Sequence, residues 1–287
     1  MISVGAVSYL NTKPLIAGLA DRLAEHFDGG RLSLNLPSRL ADDLNAGRLD
    51  VALVPSVEML RGHHTIISDA AIACRGPVWS VRLLCHVPPA EIRTVALDEG
   101  SRTSAAMVQI LLHEKFGIRP RTVTLGMEQT PERAEADAVL VIGDRAMHPE
   151  RGVYHEIWDL GDMWVRTTGL PFVFAVWAAR RDLTTRIGEA GVQTLGRLLN
   201  EARDCGVGGL HSIAAAHAAT HGLTTDDLHR YFSDNLHFDL GSPERRGLDR
   251  FAQLGRDLAL IPQGNIQNAA QPNAAQPVVA QPIVDAS

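Results

Sequence analysis

Short apolar runs alternate with amphipathic stretches through the first half of the chain, the rhythm of strands and covering helices in a mainly parallel sheet. Ile2 to Val7 predicts a strand and Pro14 to His26 a helix; Leu32 to Leu36 with Ser38 to Ala46, then Val51 to Val54 with Pro55 to Leu60, repeat the pair. A second unit opens with a strand at Thr94 to Leu97 and a helix from Thr103 to Phe116. It passes Arg121 to Leu125 and reaches a strand at Ala138 to Ile142, ended by Gly143 and Asp144. After Phe172 to Ala178 the pattern turns helical, at Thr184 to Arg203, Leu210 to Ala219, Thr225 to Leu236 and Pro243 to Leu260. Those helices have no strands of their own to cover, so they are expected to return to the first unit.

The order predicts two α/β lobes, the second inserted into the first, with extended crossings at Val78 to Val87 and Phe172 to Ala178. Residues 1–88 and 178–262 would form one lobe and 89–177 the other. From 263 to 287 the chain repeats Asn, Ala, Gln and Pro with too little apolar area to pack, and reads as a disordered tail. A length of 287 residues with 45% hydrophobic content suits two lobes better than one core.

Two lobes joined by two strands enclose a cleft, and in such sheets ligands bind beyond the carboxyl ends of the strands. Ser8 and Asn11 follow the first strand, Pro55 and Ser56 follow the third, and Ser101, Thr103 and Ser104 stand between a strand and a helix. Hydroxyls and unpaired N–H groups at a helix start suit an anion, so anion receptors on opposite lobes point to a ligand with two acidic groups. Each junction also reads as a plain helix cap, worth about 1 kcal/mol of stability.

Charge and composition narrow the classes. A net charge of −6 without a basic run argues against nucleic acid or an acidic membrane as partner. No segment approaches the roughly 20 apolar residues of a membrane span. Cys74, Cys85 and Cys205 form no metal or disulfide spacing, and the start lacks a secretory signal, so buried thiols and a cytoplasmic location are expected. His63, His64, His211, His217 and His221 read as exposed histidines rather than metal ligands, and Trp79, Trp158, Trp164 and Trp177 as core or hinge packing. Gly206 to Gly209 lacks a phosphate-binding or dinucleotide fingerprint, leaving no nucleotide cofactor site.

Val7-Ser8-Tyr9-Leu10-Asn11-Thr12-Lys13-Pro14-Leu15 resembles the amino-terminal signature of the chorismate dehydratases of the MqnA family, which act in the futalosine route to menaquinone. Leu53 to Glu58, Gly76 to Val81, Ser101 to Ser104, Val141 to Asp144, Thr168 to Ala175 and Tyr231 to Leu236 are similar to that family in order and spacing, over about residues 2 to 260. The resemblance implies a two-lobed fold of the type II periplasmic-binding-protein kind with its ligand cleft between the lobes. It also implies loss of water from chorismate to give 3-[(1-carboxyvinyl)oxy]benzoate, without cofactor or metal. Chorismate carries two carboxylates. Ser101, Thr103 and Ser104 would hold one, with Ser8, Asn11 and Ser56 on the other side; the matching motifs add Pro55, Ser80, Asp144, Thr168 and Gly169 as expected substrate-binding residues.

Loss of the proton from the ring carbon bearing the enolpyruvyl ether, then of the neighbouring hydroxyl, aromatises the ring, and the step needs a base. No histidine lies in the junctions, and Glu58, Glu99 and Asp144 are the acidic candidates there. The poverty of placed bases leads to the expectation that the substrate's own enolpyruvyl carboxylate takes the proton, with Asn11 as the catalytic residue that orients the ring substituents. Two other readings stand beside this one: a solute-binding or ligand-sensing protein using the same cleft, and the related naphthoate synthase of the pathway, whose signature differs from Ser8-Tyr9-Leu10-Asn11.

Overall fold

The computed structural model of the protein describes residues 1–61, 64–126, 128–148 and 153–263. His63 and the tail residues 264–287 named above lie outside them. The chain runs β1 (Ser3–Val7), a 3-10 turn (Leu10–Ile16), α1 (Leu19–His26), β2 (Arg31–Asn35), α2 (Pro37–Asn45), β3 (Val51–Pro55), α3 (Ser56–Leu60) and β4 (His64–Cys74). It continues with β5 (Val81–Cys85), β6 (Thr94–Asp98), α4 (Thr103–Phe116), β7 (Arg121–Leu125), β8 (Ala138–Ile142), β9 (Glu156–Asp159) and α5 (Leu160–Thr168). Last come β10 (Phe172–Arg180), α6 (Leu183–Gly208), α7 (Leu210–His217), α8 (Thr225–Arg230), β11 (His237–Asp239) and α9 (Ser242–Asp257).

Two mixed sheets result, in the orders β11-β4-β10-β3-β1-β2 and β7-β6-β8-β5-β9. β1 lies parallel between β2 and β3, and β6 parallel between β7 and β8, as the βαβ rhythm requires. β10 runs antiparallel between β3 and β4, and β5 antiparallel between β8 and β9. The fully buried runs of β1, β3 and β8 mark the covered centres of the sheets.

Five expectations need correction. β5 belongs wholly to the second sheet and β10 to the first, so neither is a crossing. The chain passes between sheets at 75–80 and 169–171, which moves 81–88 to the second unit and 172–177 to the first. The first helix is not continuous: Pro14 lacks the N–H an α-helix would need, and Gly18 at φ 64° restarts the chain before α1. The carboxyl-terminal helices do carry a strand, because β11 hydrogen-bonds to β4. Cys205 is exposed, while Cys74 and Cys85 are buried.

The carboxyl-terminal helices pack on the first sheet, α6 against β4 and α9 against β10. α6 also lies along the 3-10 turn. Gly206 makes that approach possible, since a β-carbon there would fall 1.9 Å from the Pro14 carbonyl oxygen. The turn that carries Asn11 is thus seated on a helix backbone. Trp164, Phe172 and Phe251 interlock edge to face, with centroids 5.0 Å apart for Trp164–Phe172 and 5.1 Å for Phe172–Phe251. Trp177, Trp164 and Trp158 are buried, and Trp79 stands in the first crossing, edge-on to Tyr231 at 5.6 Å. Asp159, at the start of α5, accepts from the N–H groups of Val78 at 2.9 Å and Trp79 at 2.6 Å as well as from its own helix. One carboxylate therefore fixes both α5 and the crossing. Among the described residues no helix is long and apolar enough to cross a membrane.

Candidate functional site

The carboxyl ends of β1, β3, β6 and β8 open onto one cleft between the two sheets. Its empty space is about 530 Å³, a figure that includes the open mouth. Asn11, Pro55, Ser80, Ser101, Thr103 and Ser104 line it, so six of the residues expected from the sequence meet there.

The others do not line it. Ser8 is exposed, and its N–H donates to the Asn35 carbonyl at 3.1 Å. Ser56 is fully buried and spends its hydroxyl on the Val173 carbonyl at 2.7 Å, 3.5 Å from the Thr103 hydroxyl. Thr168 donates to the Trp164 carbonyl at 2.9 Å, and Gly169 ends α5 at φ 71°. These two close a helix rather than face a ligand. Asp144 accepts from the Leu10 N–H at 3.1 Å and stands 3.4 Å from His221 Nε2. His221 therefore has a carboxylate partner that the sequence reading did not give it.

Asp144 follows β8 and Leu10 follows β1, so this pairing joins the two units across one side of the cleft. Arg102 joins them across the other, meeting Asp42 of α2 at 2.7 Å and Glu58 of α3 at 3.3 Å. Beside it the Val57 N–H donates to the Thr103 hydroxyl at 3.2 Å. The cleft is clasped at both flanks. Burial opposes the charge on Arg102, but the hydrogen bond to Asp42 and the charges of Glu58 and Asp42 outweigh it and hold the guanidinium above its usual range. Asp144 moves up from the ordinary carboxylate value because it is buried, against the pull of the Leu10 N–H, His221 and Lys13.

On the second-sheet wall, Asp98 shapes the receptor. Its carboxylate accepts from the Gly100 N–H at 3.0 Å, the Ile142 N–H at 3.3 Å and Arg145 Nε at 2.9 Å, and its carbonyl accepts from the Ser101 N–H at 3.0 Å. Burial pushes its acid up and Arg145 pulls it back. The turn so held delivers Ser101, Thr103 and Ser104 to the first turn of α4, where N–H groups lack intrahelical acceptors and carry partial positive charge.

On the opposite wall, the Thr12 hydroxyl donates to Asn11 Oδ1 at 3.3 Å, which leaves the amide N–H groups of Asn11 for a ligand. The Tyr231 hydroxyl donates to Ser80 Oγ at 2.8 Å, so the Ser80 proton is likewise free to point into the cleft. Sequence reasoning assigned no role to Tyr9, Arg102 or Gly143, all of which line the cleft. Tyr9 and Arg102 sat inside motifs already noted; their signal was a large polar side chain beside each expected receptor. Among the described residues, the titratable side chains of the lining are Tyr9 and Arg102, with no carboxylate or histidine. Glu58, Glu99 and Asp144 stand outside it.

A two-lobed α/β fold with a ligand cleft at the strand ends defines the periplasmic-binding-protein type. Solved structures agree: the chain is similar to a protein of Archaeoglobus fulgidus at TM-score 0.69 and 15% identity, covering 91% of this chain and 98% of that one. It is also similar to the aliphatic sulphonate binding protein SsuA of Escherichia coli at TM-score 0.62 and 16% identity, covering 99% and 96%. Within that fold, the chain belongs to the menaquinone biosynthesis family, whose model matches residues 2–257. It is 32% identical to the chorismate dehydratase of Thermus thermophilus over 273 residues, 87% of this chain and 93% of that protein. The chorismate dehydratase of Campylobacter jejuni is 24% identical over 78% of this chain and 83% of its own length.

Proposed function

We propose that this chain removes water from chorismate to give 3-[(1-carboxyvinyl)oxy]benzoate, as a carbon–oxygen lyase working in the cytoplasm. The observation that carries the reading is the lining of the cleft: hydroxyl and amide donors on two walls and, among the described residues, no carboxylate or histidine, in a chain that belongs to the menaquinone biosynthesis family. Donors without a base suit a doubly anionic substrate whose reaction needs positioning more than proton transfer by the protein.

One carboxylate rests on Ser101, Thr103, Ser104 and the first turn of α4, while Asn11 and Ser80 address the rest of the molecule from the other walls, with Pro55 as an apolar side. The C–H bond at the ring carbon bearing the ether breaks, its electrons spread through the diene into the ring carboxylate, and the substrate's enolpyruvyl carboxylate takes the proton. The neighbouring C–O bond then breaks and the hydroxyl leaves as water, its second proton returned from the acid just formed. The ring becomes aromatic without change of oxidation state. Asn11 holds the ether and hydroxyl substituents so that carboxylate and C–H approach each other, which is where positioning lowers the barrier. Asp144 acts outside the cleft as a tie between the units, and Ser8, Ser56, Thr168 and Gly169 support the frame. Buried Cys74 and Cys85, whose thiols burial pushes up to about 12, are inert in this scheme.

Purified protein incubated with chorismate, followed by mass and ultraviolet absorbance, tests the reading. Loss of one water with the appearance of an aromatic product is expected; binding of chorismate without any water loss would leave a receptor instead of an enzyme.

A further inference from the structure

Tyr9 follows β1 in the chain, yet its ring lies on the opposite wall. A β-carbon at Gly143 would fall 2.9 Å from ring atoms Cδ2 and Cε2, and Gly143 itself stands at φ 66° after β8. At the far end of the ring, a β-carbon at Gly100 would lie 3.2 Å from the hydroxyl oxygen. The two glycines thus leave a slot in the second unit that a side chain of the first one fills.

The Tyr9 hydroxyl is buried there and has no hydrogen-bond partner among the described residues. Asp98, the acid whose charge bears most on it, accepts at Oδ1 from Gly100 and at Oδ2 from Ile142 and Arg145, and makes no hydrogen bond to the phenol. Burial first, then the charge of Asp98, holds the phenol far above its ordinary value, so at working pH it remains a donor. A buried donor without an acceptor is costly to the fold, and such groups in native proteins mark a place where something else supplies the acceptor. Gly100 directly precedes Ser101 and the start of α4, so the hydroxyl sits beside the second-wall receptor.

We propose, resting on the chorismate reading above, that Tyr9 is a substrate-binding residue whose hydroxyl donates to the carboxylate seated at the start of α4, the one Ser104 also receives. A donor carried on the first unit and a receptor built on the second then share one carboxylate, and the closed cleft is complete only when that anion is present. Tyr9 and Ser104 thereby select for an acidic group at this end of the ligand.

The test measures calorimetric affinity for 3-[(1-carboxyvinyl)oxy]benzoate, and kcat/KM for chorismate, in wild type, Tyr9→Phe, Ser104→Ala and the double variant. Phenylalanine fills the same slot and removes only the orphaned hydroxyl, so the ligand-free melting temperature should stay level or rise. Affinity and kcat/KM should fall about tenfold or more in Tyr9→Phe, and the double variant should lose at least threefold less than the product of the single losses, the mark of a shared partner. Affinity of Tyr9→Phe within twofold of wild type, or strictly multiplicative losses, would overturn the proposal. A wild type that binds the product but leaves chorismate unchanged sinks the dehydratase reading while the four affinities still decide the role of Tyr9. A wild type that binds neither ligand overturns both.

Discussion

Replacing Asn11 by alanine should lower kcat for chorismate dehydration by roughly a hundredfold or more while KM moves by only a few fold, because positioning donors at a reacting centre act mainly in the transition state. Asn11 stands on the 3-10 turn after β1, its carbonyl held by Thr12, so its amide hydrogens meet the ligand in a fixed direction. The contrast lies with the acids. Glu58 is tied to Arg61 and Arg102, Asp144 to Leu10 and His221, and neither these two nor Glu99 lines the cleft. Replacing each by its amide should leave measurable turnover, with losses that follow weaker clasping. Steady-state kinetics of Asn11→Ala, Glu58→Gln, Glu99→Gln and Asp144→Asn decides the matter. If one acid variant abolished turnover with binding and fold intact, that acid would be the base and the substrate-assisted scheme would fail.

The second large effect concerns stability. Gly206→Ala should lower the melting temperature by roughly 5–10 °C, corresponding to about 2–3 kcal/mol in a chain of this size. A β-carbon at that position would lie 1.9 Å from the Pro14 carbonyl oxygen, and a backbone carbonyl cannot rotate aside as a side chain would. Alanine's better helix propensity returns about 1 kcal/mol at most, too little to win. The displaced 3-10 turn carries Asn11, so turnover should fall together with stability. Gly208 on the same helix is the control, since nothing lies within 4 Å of its added β-carbon and alanine there should be neutral or slightly stabilising. Thermal unfolding of both variants checks this; a Gly206→Ala chain melting with wild type would show that α6 and the turn are free to separate.

Period and length make the parallel centres legible in the sequence. β3 and β8 are uninterrupted apolar runs, β1 is apolar but for Ser3, and α4 opens where a hydroxyl-rich turn follows a strand. β4 was missed because its start, from His64 to Asp69, mixes Ile66 and Ile67 with polar residues and hides an eleven-residue strand that becomes fully apolar only at its end. β11 has three residues and exists by pairing with β4, a tertiary fact with no local signature. The crossings were misplaced because an extended apolar segment looks the same whether it bridges two sheets or belongs to one; hydrogen-bond partners decide, and β5 and β10 each found theirs within a single sheet.

The site shows the same division. Ser80 and Ser56 read alike as serines near strand ends, yet Tyr231 turns the first toward the cleft while the Val173 carbonyl captures the second. Asp144 looked like a ligand contact and is a tie, since the Leu10 N–H and His221 reach it from a distant part of the chain. Tyr9 stands out in the sequence only as a polar ring beside Ser8, and its place cannot be read there, because the slot it fills consists of side chains absent at Gly100 and Gly143. Residue type named the candidates; only partners told frame from site.

At the centre stands a cleft that arranges chorismate while the substrate supplies its own base. The most direct measurement is kcat, at saturating concentration, for chorismate whose enolpyruvyl carboxyl has been converted to the amide. The amide keeps size and one acceptor oxygen but loses the charge and cannot accept the proton, so it should bind more weakly and show no detectable water loss even when bound. Dehydration of the bound amide at a rate near that of chorismate would contradict the account and place the base on the protein.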